Sequence, residues 1–413
     1  MKPNWPYSLF SRFGVELEYM IVDQQSLNIL PVCDRILEQL AGEITEEIDL
    51  GDFSWCNELA LHVIELKASQ PTKTLQGWDT KAHQQIQQLH KTLDSMGARL
   101  MPTAAHPWMN PLQETRLWPH TYNPIYESYN RIFSCQGHGW SNLQSTHLNL
   151  PFLNAQEFGR LHAAIRLLMP IMPALTASSP ILEGAACPAL DQRLEVYRWN
   201  AKRIPSIAGR VIPEPVFSPQ EYEQELLQKL YRDIAPHDPE NILQEEWLNS
   251  RGAIARFDRG AIEIRILDIQ ETPQVDVAIL TLIIGVLKKL VHEDYLTYEA
   301  QQLWSVDALA NIFEDVIIKV DQTSILDSQY LQIFGFPGKV ATARELWEFL
   351  AQQLDWESPE TQQWKKSLDT IFSQGCLSRR ILKAVDGDWR HEHLHQVYGK
   401  LCDCLIKGEI FIP

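Results

Sequence analysis

Four short segments of this chain alternate apolar and polar residues with the two-residue period of a β-strand, and they constrain the fold more than any other feature. They are residues 14–22, 57–67, 145–152 and 255–268. Successive side chains of a strand point to opposite faces, so each segment has an apolar face and a polar face. The polar positions hold glutamate, histidine, asparagine or arginine. We therefore predict a sheet with an apolar core on one side and a shared polar surface on the other.

Four glutamates in the first two segments are candidate metal ligands. Glu16 and Glu18 share one strand face, roughly 7 Å apart. Glu58 and Glu65 have an odd offset, which directs them to opposite faces of a regular strand, so they converge only if a bulge or a strand start lies near Glu58. An ordinary solvated sheet face is the alternative interpretation of Glu16 and Glu18.

The third segment places His147 and Asn149 on one strand face. A neutral imidazole can bind a divalent cation, and an amide can orient a phosphate or a carboxylate. A purely structural role for both residues stays open. Among the histidines in loop-like surroundings, His106 is our candidate for a contact with substrate.

The fourth segment is the most informative, because Ile262, Ile264 and Ile266 alternate with Glu263 and Arg265. A surface ion pair within the strand would explain this pattern at a gain of roughly 0 to 1 kcal/mol. The functional interpretation is that Glu263 binds a metal ion and that Arg265 binds a phosphate through its planar guanidinium group.

Several carboxylates on one sheet surface repel one another unless cations lie between them. Oxygen ligands with one histidine suit Mg²⁺, or Mn²⁺, better than structural Zn²⁺, and the seven scattered cysteines lack the spacing of a zinc site. We therefore predict a magnesium site, with manganese as an alternative ion.

Charge and hydropathy exclude some partners. The 36 Lys and Arg against 53 Asp and Glu give a net charge of -17, which repels nucleic acid and anionic lipid. No apolar run approaches the ~20 residues that span a bilayer, and no signal peptide is visible. We predict a cytoplasmic protein that binds neither nucleic acid nor membrane; the oligomeric state stays open, a homo-oligomer included.

Strand-like and helical segments alternate up to residue 295, and helices dominate afterwards. We predict a catalytic domain at residues 1–295 and a mostly helical subdomain at residues 296–413 that packs on it. Helices are predicted at residues 74–93, 161–175, 220–235, 275–292, 303–320, 341–354, 361–372 and 389–406, long loops at 188–219, and a strand at 409–412.

As a set, these motifs resemble the glutamate-cysteine ligase family, in its second, carboxylate–amine ligase branch. The matching motifs are Gly14-x-Glu16-x-Glu18, Glu58 with Glu65, His147-x-Asn149, Ala177-Ser178-Ser179-Pro180 and Ala261-Ile262-Glu263-Ile264-Arg265-x-x-Asp268. They cover roughly residues 10–290. The resemblance implies an α+β, glutamine-synthetase-like fold, in which a curved, mostly antiparallel sheet binds ATP on its concave face and carries helices on its convex side.

The resemblance also implies an activity: an ATP- and magnesium-dependent ligase that joins a carboxylate to an amine through an acyl phosphate. The expected substrates are glutamate and cysteine, or another amino acid. It implies metal ligands at Glu16, Glu18, Glu58, Glu65, His147 and Glu263, catalytic arginines at Arg265 and Arg256, nucleotide contacts from Asn149, Arg256 and Arg265, and substrate contacts from Arg193 and Arg198.

Two other functions stay open at this point. One is a phosphotransferase that acts on a small carboxylate or guanidinium, and the other is a non-catalytic protein that binds ATP or a metabolite. The family often has His-x-His where this chain has His147-x-Asn149, and the loop at residues 184–198 lacks the expected glycine and serine pattern. These positions lie where substrates are expected to bind, so the resemblance fixes neither the amine nor the donor.

Overall fold

The computed structural model describes residues 5–413. Within that range the chain forms twelve β-strands, and eight of them belong to one sheet. The strands are β1 (Gly14–Asp23), β2 (Glu47–Asp49), β3 (Phe53–Asn57), β4 (Val63–Ala68), β5 (Ala98–Met101), β6 (Ser145–Pro151), β7 (Ile181–Leu182), β8 (Ala185–Ala186), β9 (Ala253–Arg256), β10 (Ala261–Asp268), β11 (Ser324–Ile325) and β12 (Ala341–Thr342).

The same residues form eighteen α-helices, several of them single turns. They are α1 (Cys33–Ala41), α2 (Trp78–Ser95), α3 (Pro111–Glu114), α4 (Asn123–Phe133), α5 (His138–Ser141), α6 (Ala155–Leu168), α7 (Pro173–Thr176), α8 (Gln192–Tyr197), α9 (Pro219–Glu221), α10 (Gln228–Ile234), α11 (Pro273–Val291), α12 (Tyr298–Gln302), α13 (Val306–Lys319), α14 (Ser328–Ile333), α15 (Ala343–Ala351), α16 (Lys365–Gln374), α17 (Leu377–Val385) and α18 (His391–Lys407).

The large sheet has the strand order β2-β3-β4-β1-β6-β10-β9, and β5 pairs with the end of β1. Every neighbouring pair in it is antiparallel. The predicted combination of helices with an antiparallel sheet is therefore confirmed. The predicted curvature of the sheet and the placement of the helices on its convex side stay predictions.

The apolar positions of the central strands form the core. Leu17 of β1, Leu148 of β6 and Ile264 of β10 are all fully buried, and they belong to one hydrophobic cluster with residues of α2, α6 and α11. Truncation of such a leucine to alanine typically costs about 2 to 5 kcal/mol of unfolding free energy. This burial fixes which side of each strand faces the core, and so leaves the opposite side for polar residues.

The helices predicted at 74–93, 275–292 and 389–406 correspond to α2, α11 and α18. The segment predicted at 161–175 ends as an α-helix at Leu168, because Pro170 and Pro173 cannot continue the backbone hydrogen-bond ladder. The loops predicted at 188–219 contain the short helix α8 and one turn of 3-10 helix at Pro205–Ile207.

The predicted strand at 409–412 is wrong, because these residues have no regular secondary structure. Side chains take the backbone hydrogen bonds that a neighbouring strand would need. The Phe411 carbonyl accepts from Arg380 Nη1 at 2.7 Å, and the Phe411 N–H donates to Glu271 Oε1 at 3.3 Å. Arg380 and Glu271 themselves form a fully buried ion pair.

The helices after residue 296 pack on the rest of the chain in two places. Phe313 of α13 and Trp347 of α15 belong to the main core, and Trp347 Nε1 donates to the Ile171 carbonyl at 2.7 Å. Helices α17 and α18 form a second hydrophobic cluster with Met20 and Val22 of β1. The domain boundary at 295 stays a proposal.

No helix in residues 5–413 has the length and apolar character needed to cross a membrane.

Candidate active site

The polar faces of β4, β1, β6 and β10 form one continuous surface. Antiparallel pairing aligns their polar residues in rows: Glu16 lies between Lys67 and His147, Glu18 lies opposite Glu65, and Glu263 lies opposite Asn149. Directly opposed residues in such a sheet have Cβ atoms about 5 Å apart, so their side chains interact. The register therefore gathers residues that are up to 247 positions apart, Glu16 and Glu263, on one surface.

His147 lies between the two carboxylates of β1. Its Nδ1 is 2.9 Å from Glu16 Oε2, and its Nε2 is 2.9 Å from Ser145 Oγ. Because the Ser145 hydroxyl donates to Glu18 Oε2 at 2.8 Å, the hydroxyl accepts from the imidazole, and both ring nitrogens are donors. The geometry therefore holds His147 as a cation when no metal ion is bound.

The pKa values of this pair agree with that geometry. Burial disfavours the charged His147, but its hydrogen bond to Glu16 and the charges of Glu18 and Glu16 outweigh burial and raise its pKa to about 9. Burial likewise opposes ionisation of Glu16, and the hydrogen bond and charge of His147 outweigh it and lower the pKa of Glu16 to about 2. Glu16 and His147 thus form an ion pair at neutral pH.

Three carboxylates meet beside this pair. One oxygen each of Glu18, Glu58 and Glu65 lie within 4.8 Å of one another, and Glu65 also lies within that distance of Glu16 and His147. Burial and the charge of Glu18 raise the pKa of Glu58 to about 7. Burial and the charges of Glu16 and Glu58 raise the pKa of Glu65 well above its usual range. This cluster therefore retains protons near neutral pH unless a cation replaces them.

Glu58 reaches the cluster because the strand ends before it. Strand β3 stops at Asn57, and Glu58 is the first residue of the connection to β4. Outside the strand, its side chain no longer follows the alternation that would point it away from Glu65. Glu58 and Glu65 thus converge because β3 ends before Glu58. The role of these acids as metal ligands stays a prediction.

Glu263 of β10 is held between two arginines. Arg265 Nε lies 3.2 Å from Glu263 Oε1, and Arg256 Nη1 lies 3.6 Å from Glu263 Oε2. Arg256 also pairs with Asp258 at 3.1 Å. Burial lowers the pKa of Arg265, but nearby Tyr197 and Glu263 outweigh it, so the pKa lies above its usual range and the guanidinium stays charged.

Two cavities adjoin on this surface. The outer cleft has a volume of about 670 Å³ and combines the carboxylates with basic side chains. Its basic residues are Arg12, Lys67, Arg256, Arg259 and Arg265. Asn149 also lines it, with Nδ2 donating to Glu16 Oε1 at 3.1 Å. A concentration of positive charge beside acids suits a polyanion bound together with metal ions.

The inner cleft has a volume of about 240 Å³ and is walled largely by aromatic rings. The rings belong to Tyr126, Tyr129, Trp140, Tyr197 and Trp247. The two clefts share four lining residues, namely Glu18, Glu58, His147 and Arg265. The carboxylate cluster therefore lies at the boundary between a basic cleft and an aromatic one.

Arg193, Arg198 and His106 are predicted to contact substrate, and in the structure each binds another part of the protein. Arg193 lines the inner cleft, but its side chain is 3% exposed and forms a buried ion pair with Asp268. Arg198 lines neither cleft, and it pairs with Glu195 at 2.8 Å and Glu314 at 3.2 Å.

His106 is fully buried away from both clefts. Its Nε2 bonds to the Leu27 carbonyl at 2.7 Å, and its Nδ1 accepts from the Trp108 backbone N–H at 3.2 Å. Burial lowers its pKa to about 3. These contacts occupy both ring nitrogens within the core, and His106 reaches neither cleft.

Sequence reasoning missed most of the cleft walls. Lys67 was within reach, since it lies two positions after Glu65 and so shares its strand face. Ser145, which donates to Glu18, has the same parity as His147 and could have been found in the same way. The aromatic residues of the inner cleft come from α4, α5, α8 and a short 3-10 helix at Glu246–Leu248. Tyr126 and Tyr129 are one turn apart on α4, but no periodicity in the sequence links them to the other rings.

Comparison with known proteins shows the family and the fold of this chain. The sequence profile described as glutamate-cysteine ligase family 2 matches residues 12–316, which include every strand of the large sheet. An uncharacterized protein of Archaeoglobus fulgidus is 30% identical over 399 residues, covering 97% of this chain and 100% of the relative. That relative has a similar length, and its name states no activity.

Two solved structures share the fold at 12% sequence identity. A bifunctional glutathione synthetase from Pasteurella multocida has a TM-score of 0.59, over 95% of this chain and 53% of that one, so this chain spans about half of its length. A glutamate–cysteine ligase from Francisella tularensis, solved in complex with AMP, has a TM-score of 0.57, over 95% of this chain and 88% of that one.

The profile match covers more than half of the chain and contains the motifs on which the family resemblance was based. The predicted family and the predicted enzyme class, a carboxylate–amine ligase, are confirmed. The chain belongs to glutamate-cysteine ligase family 2.

Proposed function

We propose that this protein uses ATP and magnesium to join a carboxylate to an amine through an acyl phosphate, forming a γ-glutamyl-type amide. The observation that carries the proposal is the position of the carboxylate cluster between the basic outer cleft and the aromatic inner cleft. Such a boundary suits transfer of a phosphoryl group from a nucleotide on one side to a small molecule on the other.

The residues present fit a magnesium site. The donors are carboxylate oxygens with one imidazole, which is the ligand chemistry of a hard cation. Asn149 Oδ1 is buried and has no hydrogen-bond partner in the described part of the chain, so it is a further oxygen available to a cation or its water. We propose that Glu16, Glu18, Glu58, Glu65, His147 and Glu263 hold the magnesium ions, which would neutralise phosphate charge.

The outer cleft is the proposed nucleotide site. Arg256 and Arg265 flank Glu263, so both guanidinium groups are held beside the position expected for a metal-bound phosphate. A guanidinium fork can bind two phosphate oxygens at once, and its preset position stabilises charge that develops during transfer. Arg259 and Arg12 add positive charge on the same cleft.

The inner cleft is the proposed site of the carboxylate and the amine. It shares Arg265 and His147 with the outer cleft, so a carboxylate bound there can reach the phosphate side. The close aromatic packing of Tyr129 against Trp140 and Trp247 limits water near the site. An acyl phosphate is lost to hydrolysis when water reaches it, so a walled cleft favours attack by the amine.

Hydroxylamine tests the first half of this reaction without knowledge of the amine. Protein incubated with ATP, magnesium, glutamate and hydroxylamine should yield a glutamyl hydroxamate, because hydroxylamine traps an acyl phosphate. Glu263→Gln should abolish the product. Glu299→Gln, at an exposed position on α12, is the matched control and should keep it.

Absence of hydroxamate with glutamate and with a broad panel of carboxylates would contradict the proposal. A stable phosphorylated product without hydroxamate would instead identify a phosphotransferase. Tight ATP binding with no phosphate release would identify a protein that binds the nucleotide without turnover.

A further inference from the structure

We propose that the guanidinium group of Arg12 binds the phosphates of the nucleotide in the outer cleft, and that the ring of Tyr7 holds this guanidinium in position. The identity of the ligand as a nucleotide rests on the ligase function proposed above. Both residues belong to a segment that we call the N-terminal strap, residues 5–13. The strap precedes Gly14, where the family motifs begin, so none of those motifs assigns a role to Arg12 or Tyr7.

The ends of the N-terminal strap are fixed at different strands of the large sheet. At one end, Trp5 Nε1 donates to the carbonyl of Phe257, directly after β9, at 2.9 Å. At the other end, the Phe13 N–H donates to the carbonyl of Thr72, in the connection that follows β4, at 2.9 Å. In the sheet order, β1, β6 and β10 lie between β4 and β9. The strap therefore spans these strands, and the protein itself holds its backbone in place.

Arg12 and Tyr7 both line the outer cleft, and they are stacked on each other. The central carbon of the Arg12 guanidinium lies 4.8 Å from the centroid of the Tyr7 ring. Arg12 Nη1 also donates to the Ser11 carbonyl at 2.7 Å. A guanidinium stacked on a ring uses its flat face, so the other N–H groups in its plane stay available for hydrogen bonds. The stack thus restricts a long side chain without consuming its donors.

Arg12 differs from the other basic residues of the outer cleft because it has no acidic partner. Each of the others lies within 4.0 Å of a carboxylate; they are Lys67, Arg256, Arg259 and Arg265. Within residues 5–413, no carboxylate lies that close to the Arg12 guanidinium. A cation on a cleft wall without a counter-charge attracts an anionic ligand. The missing partner of Arg12 is therefore an anion bound in the cleft.

A polyphosphate fits this position better than the carboxylate of a substrate. The outer cleft, with its volume of about 670 Å³, combines Arg12 with the sheet arginines and with the acids proposed to bind magnesium. A polyphosphate has charged oxygens on several phosphorus atoms, so it can contact Arg12 and the sheet arginines together. The carboxylate substrate is placed in the inner cleft, and Arg12 does not line that cleft. We therefore assign Arg12 to the nucleotide.

Binding of ADP in the presence of magnesium tests the role of Arg12 without turnover, by isothermal titration calorimetry on the full-length protein. Arg12→Met should weaken binding roughly tenfold, as loss of a charge-assisted hydrogen bond typically does. Inorganic tripolyphosphate with magnesium should lose affinity by a similar factor, because it has the phosphates without the base. Arg35→Met is the matched control and should bind both ligands as the unmodified protein does, since Arg35 is exposed and lines neither cleft.

Variants of Tyr7 test the positioning role of its ring. Tyr7→Leu should weaken ADP binding less than Arg12→Met does, because the guanidinium is still present but no longer stacked. Tyr7→Phe retains the ring and should restore binding; failure to do so would reject this role. Tyr298→Leu is the matched control, because the Arg160 guanidinium lies 5.1 Å from the Tyr298 ring centroid in a similar stack that lines neither cleft. If Arg12→Met fails to fold, Arg12→Lys supplies the test, since it keeps the charge and loses the planar fork.

Unchanged binding of ADP and tripolyphosphate in the Arg12 variant would overturn the inference. A higher glutamate concentration for half-maximal hydroxamate formation, with unchanged ADP binding, would also overturn it and assign Arg12 to the carboxylate. Hydroxamate formation by Arg12→Met at the ATP concentrations that the unmodified protein requires would reject the inference and keep the ligase. Weaker ADP binding in Arg12→Met, in a protein that forms no hydroxamate with any carboxylate, would support the phosphate contact and contradict the ligase.

Discussion

The thiol of Cys56 donates a hydrogen bond to Glu65 Oε1 at 3.0 Å, across the pair formed by β3 and β4. Cys56 does not belong to the carboxylate cluster of Glu18, Glu58 and Glu65. Its hydrogen bond nevertheless fixes one oxygen of Glu65. One carboxylate oxygen of Glu65 lies within 4.8 Å of oxygens of Glu18 and Glu58, so the orientation of Glu65 bears on this cluster. A hydrogen bond to a metal ligand from a residue that does not itself touch the metal orients the ligand and tunes the affinity of the site for the metal.

Replacement of Cys56 by alanine should therefore weaken magnesium binding. We expect the magnesium concentration for half-maximal hydroxamate formation to rise roughly tenfold, with little change in rate at saturating magnesium. Cys56→Ser, which keeps a donor, should restore most of the affinity. A fall in the saturated rate with unchanged magnesium dependence would contradict this role for the thiol.

Magnesium binding should release protons near neutral pH. The pKa of Glu58 is about 7 and that of Glu65 is well above its usual range, so both carry protons that a cation must displace. Apparent magnesium affinity should rise as the pH increases through 7. Calorimetric titrations in two buffers with different ionisation enthalpies, such as PIPES and Tris, measure the protons released; identical heats in both would count against the prediction.

The raised pKa of Glu58 also predicts how the free energy of unfolding depends on pH when no metal ion is bound. Because the pKa of Glu58 rises from 4.5 to about 7 on folding, the folded state holds a proton that the unfolded state has lost between these values. The free energy of unfolding should fall as the pH rises from about 4.5 to 7. Thermal unfolding in EDTA should show this fall, and Glu58→Gln should reduce it.

His106 should act in folding rather than in substrate binding. His106→Ala leaves the Leu27 carbonyl without its donor inside the core, which we expect to cost about 1 to 3 kcal/mol. Urea unfolding measures this loss. The glutamate concentration for half-maximal hydroxamate formation should stay unchanged, and a large increase in it would return His106 to the substrate site.

The buried pair of Arg380 and Glu271 should be costly to break. Arg380→Met removes one partner and leaves a buried carboxylate without its counter-charge, which typically costs about 3 to 5 kcal/mol. It also removes the donor to the Phe411 carbonyl. The double variant Arg380→Met with Glu271→Leu should recover part of the loss in urea unfolding, because no lone charge then remains.

The sequence predicted the local alternation of the sheet but not its pairing. The parity of Glu16 and Glu18 follows from a two-residue period, which is a local property. The pairing of Glu18 with Glu65 depends on the register between β1 and β4. Packing between residues far apart in the sequence fixes that register. The convergence of Glu58 with Glu65 could be predicted only on the condition of a bulge or a strand start, since the alternation of side chains ceases where a strand ends.

The walls of the inner cleft could not be predicted from the sequence for a related reason. Only Tyr126 and Tyr129 share a helix, and the other rings lie on helices that no common period links in the sequence. Tertiary packing alone therefore brings Tyr129 to Trp247. The strand predicted at 409–412 failed because Arg380 and Glu271 bind the backbone there. The prediction that Glu263 and Arg265 lie side by side is confirmed because both residues belong to strand β10, two positions apart, whereas their roles toward metal and phosphate stay predictions.

Strand β1 carries charged and apolar residues on the same face. Glu16 and Glu18 line the outer cleft, while Met20 and Val22 pack beneath α17 and α18. A slip of one residue in this strand would turn the acids into the main core, where Leu17 now packs, and would take Met20 and Val22 away from α17 and α18. The contacts of Met20 and Val22 with α17 and α18 therefore fix the register that places Glu16 and Glu18 on the outer cleft, so helices remote from the cleft determine its shape.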